Sequence, residues 1–129
     1  ICIMNSLRFG DMYKKMVTIS SPHVNVDMFK DFIFKIGLKE KSLNKLLDVF
    51  KSKVGSDVES YDLIKCAKIS NTPTLILHCD DDRDIPVECS KESIKHFKKG
   101  KLIITKGLGH RRILRNKSIV KSVVNFLKN

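Results

Sequence analysis

Two short stretches of this 129-residue chain carry the side chains best suited to acid–base chemistry. The first is the acidic run Asp80-Asp81-Asp82-Arg83-Asp84, followed by Ile85-Pro86. The second is Gly107-Leu108-Gly109-His110. A carboxylate that accepts the Nδ1–H of an imidazole fixes its tautomer and stabilises the imidazolium. The other ring nitrogen is then free to take a proton from a nucleophile. Two glycines beside His110 allow the tight backbone path that aims a ring into a crevice. Taken alone, the acidic run also suits a solvated loop or a divalent-cation site, and His110 suits an ordinary loop histidine.

The flanking elements favour the first reading. Thr74–His78 (TLILH) is a continuous apolar run after Pro73, the pattern of a strand buried on both faces. Pro86 stands just before a helix predicted over Val87–Phe97 and closed by Gly100. Lys101–Thr105 (KLIIT) predicts a second buried strand. Asn116 is a suitable N-cap for a last helix, with Ile119, Val120, Val123, Val124 and Leu127 on one face. Strand, helix, strand, helix with short loops is the signature of an α/β fold with a parallel sheet. A right-handed crossover makes both strands end at one sheet edge. The acidic loop and His110 leave the strands at that edge, where ligands bind in open α/β sheets.

The N-terminal half is less specific. Residues 1–9 resemble the tail of a helix stopped by Gly10, and Lys15–Ser20 (KMVTIS) reads as a strand ended by Ser21-Pro22. Phe29, Phe32, Ile33 and Ile36 predict one amphipathic helix, stopped by Gly37. Leu43, Leu46, Leu47, Phe50 and Val54 predict a second, stopped by Gly55, and a short third covers Tyr61–Lys68. Core packing is the default use of such stripes; a mobile cap is the sharper one.

Composition narrows the classes. Hydrophobic residues make up 42% and charged residues 30%, enough for one domain with a core. The net charge of +11 is unevenly spread: residues 1–90 balance 13 Lys/Arg with 13 Asp/Glu, whereas residues 91–129 carry 12 Lys/Arg against Glu92 alone. Twenty of the 25 cations are Lys, and Arg is the better reader of phosphate forks. A solvated lysine surface is expected rather than a nucleic-acid interface. No apolar run approaches the roughly 18–20 residues that cross a bilayer, and no signal-peptide pattern opens the sequence.

Cys2, Cys66, Cys79 and Cys89 form no C-x-x-C pair and no Cys/His cluster with metal-ligand spacing. Reduced thiols in the cytoplasm are expected, with no metal and no cofactor. His78 falls inside a predicted strand and reads as a satisfied near-core histidine; His23 and His96 read as surface. Arg111 and Arg112 fit a solvated pair, one of them tied to the acidic loop, or an anchor for an anionic substrate group.

The stretch PTLILHCDDDRDIPVECS, followed by KLIITKGLGHRRIL, resembles the C-terminal half of an α/β-hydrolase. In that family the catalytic acid follows the penultimate strand in a segment like H-G-x-x-D-x-x-V-P, and the catalytic His follows the last strand in G-x-G-H. Matching Ile85-Pro86 to the family's V-P implies Asp82 as the acid, with Asp84 the runner-up, and His110 as the base. Met16–Pro22 resembles the strand after the nucleophile helix. The resemblance implies a single partial domain over residues 1–129. It would have a cap-like helical insertion at about 24–68 and an acid- and His-bearing portion at 72–129. It also implies about three parallel strands and a small-molecule acyl substrate.

One departure stands out. The family's nucleophile elbow, G-x-S-x-G, is absent, and Ser20, Ser21, Ser42 and Ser90 lack its flanking glycines. The chain begins at Ile1, so the nucleophile and its oxyanion donors are expected upstream, and the chain alone is expected to be inactive. Its partner would be the missing N-terminal half, or a second copy joined through an exposed apolar strand edge. Cys79 stands where the family commonly has Gly, which implies a different local turn. The alternative to an enzyme is a non-catalytic α/β interaction module that docks an acidic partner on its basic C-terminal surface.

Overall fold

The computed structural model describes residues 13–23 and 25–129. The helix tail expected over residues 1–9, and Cys2, lie outside the described residues. Three strands, β1 (Met16–Ile19), β2 (Thr74–Cys79) and β3 (Gly100–Thr105), form one open sheet in the order β1-β2-β3. Both pairings are parallel. Among the described residues there are six α-helices: α1 (Val26–Lys35), α2 (Ser42–Val54), α3 (Leu63–Ile69), α4 (Val87–Ile94), α5 (Gly109–Arg112) and α6 (Lys117–Lys128). Two 3-10 turns, Val58–Tyr61 and Ile113–Arg115, complete the described elements.

β2 is the central strand, and every one of its residues is buried. The pleat alternates its side chains between two cores. Ile76 joins Met16, Leu63, Ala67 and Phe97 on one face. Leu75, Leu77 and Cys79 join Ile113 and Ile119 on the other. By the same alternation His78 faces the Ile76 side, and its ring meets Ser90 of α4.

α1 and α2 make a core of their own. Phe29, Ile33, Leu43 and Val58 are its buried centre, and Phe50 packs edge-on against Phe29 with ring centroids 5.1 Å apart. Asn25 caps α1 by accepting from the Met28 amide, and Gly55 ends α2 in the left-handed region at φ 79°. The stripes are narrower than the periodicity predicts: Phe32, Ile36 and Val54 are exposed. α3 belongs with the sheet, because Leu63 and Ala67 pack beneath β2.

Three further expectations need correction. β3 is not a buried strand: among the described residues it is an edge of the sheet, and Ile104 is exposed. α4 ends at Ile94, and Gly100 opens β3 instead of closing the helix. A Cβ at Gly100 would lie 2.5 Å from Ile94 Cδ1 and 2.8 Å from Phe97 Cβ, so the glycine is there for close approach. α6 starts as expected, with the Asn116 carboxamide accepting from the Ser118 and Ile119 amides. Its inner face, however, is Ile119, Val123 and Phe126, while Val120, Val124 and Leu127 are exposed.

Candidate active site

The parallel register pairs Cys79 with Thr105, so β2 and β3 end side by side. The Asp80 amide still reaches the Thr105 carbonyl at 2.9 Å, and the two chains then part into the acidic loop and the glycine–histidine loop. Gly107, at φ 70°, and Gly109, at φ 57°, turn the second loop back toward the first, a path that side chains with a Cβ take poorly. His110 follows in the first turn of α5.

His110 Nδ1 lies 2.9 Å from Asp82 Oδ2, and the Asp82 side chain has no exposed surface. A carboxylate only accepts, so Nδ1 carries the proton and Nε2 offers its lone pair. Among the described residues no side chain or backbone group hydrogen-bonds Nε2. The ring is about one-third exposed, at 35%. It borders an open cleft of about 420 Å³ formed with Asp81, Arg83, Asp84, Leu108 and Arg112. A second cleft of similar size lies between α1 and the acidic loop, bordered by His23, Met28, Phe32, Arg83, Asp84 and Pro86.

Asp82 is held from several sides. Its Oδ1 accepts the amides of Asp84 and Ile85, each at 2.9 Å, which folds the loop around its own carboxylate. Burial works to raise the Asp82 carboxyl. The Ile85 amide, the His110 ring, the nearby Ser20 hydroxyl and the Asp84 amide outweigh it and hold the group below the ordinary carboxylate range. Ser20, just after β1, has φ 47°, an uncommon conformation for a residue with a Cβ. Asp84 contributes its amide, while its carboxylate is exposed. Donor atoms of Asp82, Asp84 and His110 lie within 4.8 Å of one another, as do those of Cys79, Asp80 and Asp81. Among the described residues these are the two groups that could receive a cation.

Beneath the loop, His78 is fully buried. Its Nε2 donates to the Ile85 carbonyl at 2.9 Å, so its Nδ1 accepts from the Ser90 hydroxyl at 2.6 Å. The same Nε2 lies 3.5 Å from Asp82 Oδ2. The expected near-core histidine is thus satisfied, and it also braces the loop that carries Asp82.

His23 departs from its surface reading: it is half-buried, and its Nε2 sits 2.7 Å from the Cys89 carbonyl and 2.8 Å from the Ser93 hydroxyl of α4. No local pattern announces that contact; the pairing of β1 with β2 creates it. Arg111 and Arg112 are exposed, and Arg112 Nε donates to the Leu108 carbonyl. Cys79 needs no left-handed backbone, and its side chain is buried between the two loops. Burial pushes the Cys66 thiol up to about 11.

The comparisons agree with this architecture. A search of curated proteins gives no match. Among solved structures, the chain is similar to MGS-MChE2, an α/β hydrolase from a metagenome of Mar Chica lagoon sediments, at 12% identity and a TM-score of 0.67, covering 98% of this chain and 55% of that one. It is similar to Est1E of Butyrivibrio proteoclasticus, solved with ferulic acid, at 15% identity and a TM-score of 0.59, covering 98% and 55%. An esterase of Pyrococcus furiosus gives 18% identity and a TM-score of 0.62, covering 97% and 48%. The chain thus spans about half the length of these solved relatives. At such identities the likeness speaks for the fold. A family profile described as TAP-like protein, of the α/β-hydrolase class, matches residues 54–129. That match covers more than half of the sequence, both loops included, and the chain belongs to this α/β-hydrolase family.

Proposed function

We propose that this chain supplies the acid and the base of a Ser-Asp-His triad in a serine hydrolase acting on an ester or related acyl bond. The observation that carries the reading is the 2.9 Å bond from His110 Nδ1–H to Asp82 Oδ2, with Nε2 left unengaged at a cleft. In this reading Nε2 takes the proton from a serine hydroxyl as the oxygen attacks the acyl carbon. The carboxylate of Asp82 stabilises the imidazolium that results. The imidazolium then returns the proton to the leaving group. Such acid–base help is worth roughly 10²–10⁴-fold.

The serine and the oxyanion donors lie outside these 129 residues in this proposal, because the sequence holds no G-x-S-x-G elbow. Residues from about 24 to 68 would form the cap over the acyl site. The cytoplasm is the proposed location, which suits the free Cys66, Cys79 and Cys89 thiols. Among the described residues no helix is long and apolar enough to cross a membrane.

A chromogenic ester tests the proposal. The 129-residue chain alone should give buffer-level turnover. A chain extended upstream through a G-x-S-x-G elbow should turn over, and His110→Ala in it should remove the activity. Turnover in the extended chain that survives His110→Ala would overturn the assignment.

A further inference from the structure

The acidic loop touches the base loop at more points than the Asp82–His110 bond. β2's alternation aims Cys79 at the face that Leu108 and Ile113 cover. Its sulfur accepts the Leu108 amide at 3.2 Å and donates to Asp81 Oδ1 at 2.7 Å. The same Asp81 oxygen accepts the Gly109 amide at 2.9 Å. Three consecutive residues, Leu108, Gly109 and His110, are therefore tied in order to Cys79, Asp81 and Asp82. The first two ties act on the backbone immediately before the histidine, where Gly109 is in the left-handed region. A backbone free to rotate there would swing the imidazole away from Asp82.

We propose that Cys79 and Asp81 form a latch that positions His110 against Asp82. The inference rests on the triad reading above for its catalytic meaning, but the latch itself is a structural claim. The thiol is suited to the place because it both donates and accepts, joining a backbone amide to a carboxylate. Asp81 fits a fixed acceptor: the Cys79 thiol, then the Gly109 amide, hold its carboxyl below the ordinary range, with burial opposing them and Arg112 assisting. Neither residue hydrogen-bonds the imidazole, so both are positioning residues.

Nitrogen-15 and proton NMR of the His110 ring in the 129-residue chain reads the latch without any turnover. The parent should show one tautomer, with a slowly exchanging, downfield Nδ1 proton. Asp81→Ala removes the acceptor at an exposed position, so the core stays intact. It should mix the tautomers and speed exchange of that proton by about fivefold or more, since Asp81 accepts two hydrogen bonds and the loss of one ordinary bond is worth about that factor. Asp81→Asn and Cys79→Ser keep an oxygen in place and should restore the parent signal, whereas Cys79→Ala should not. An unchanged Nδ1 signal in Asp81→Ala would overturn the latch, as would a parent showing no such signal. A signal that behaves as expected in a protein whose extended form turns over no ester would leave the latch standing and defeat the triad reading alone.

Discussion

His110 and Asp82 meet at 2.9 Å although each leaves a different strand. The meeting is a consequence of register: Cys79 lies opposite Thr105, so the strands release their loops at the same level. Asp82 is then shaped by its own loop, through the Asp84 and Ile85 amides, before it reaches His110.

Asp82 should make stability depend on acid. Its folded carboxyl lies below the ordinary range, so the ionised form favours the fold. That contribution is full well above the unfolded value of about 3.9, and it fades as pH falls through the folded value. Asp82→Asn should cost about 2 kcal/mol at neutral pH, the scale of hydrogen bonds to a charged group. Urea melts across acidic pH should show the difference between the two proteins shrinking as pH falls. A difference that stays constant would exclude this source.

His78 should matter more than its distance from the cleft suggests. His78→Ala removes a fully buried ring bonded to Ile85 and Ser90 and should cost about 3–4 kcal/mol. Ser90→Ala should cost about 1–2 kcal/mol. In a double-mutant cycle the two losses should couple, because each leaves the other's group unpaired. Simple additivity would show that the bond contributes little.

Gly100→Ala is expected to strain the junction of α4 and β3. The new methyl would press on Ile94 and on the Cβ of Phe97, which cannot move as a flexible tip can. A loss of about 1–3 kcal/mol should appear in thermal melts. Gly37 makes a useful comparison, since a Cβ there meets nothing and only its φ of 76° opposes the change.

β1 should govern association. Among the described residues it pairs only with β2, while Val17 and Ile19 are just half-buried. The amides of Met16 and Ser20 bond to Pro73 and Leu77, so the alternate amides of Val17 and Ile19 face the open edge. The isolated chain should self-associate through that edge, and Val17→Pro should weaken it. Size-exclusion chromatography over a dilution series checks this; a monomer at every concentration would count against it.

Much of the sheet and its site was legible because local signals and long-range structure agree there. The run before Cys79 sets Leu75, Ile76 and Leu77 in succession, the pattern of a strand buried on both faces. Pro86 and Asn116 mark helix starts through their own chemistry, and among the four aspartates the choice of Asp82 rests on the resemblance to the family's V-P segment at Ile85-Pro86. The outer face of α6 was not legible, since Val120 and Val124 continue an apolar period that the sheet is too narrow to cover. The ties of His23 to α4 and of Asp81 to Gly109 were hidden for another reason. They join side chains to backbone groups far away in sequence, and no period or composition records such contacts.

In the proposed triad Asp82 orients His110 as the base. The most direct measurement is ester turnover in the upstream-extended protein, with Asp82→Asn and Asp84→Asn compared at saturating substrate. Asp82→Asn should lower kcat about 10²–10⁴-fold, and Asp84→Asn should change it little. Equal activity of parent and Asp82→Asn, or a larger fall for Asp84→Asn, would contradict that role.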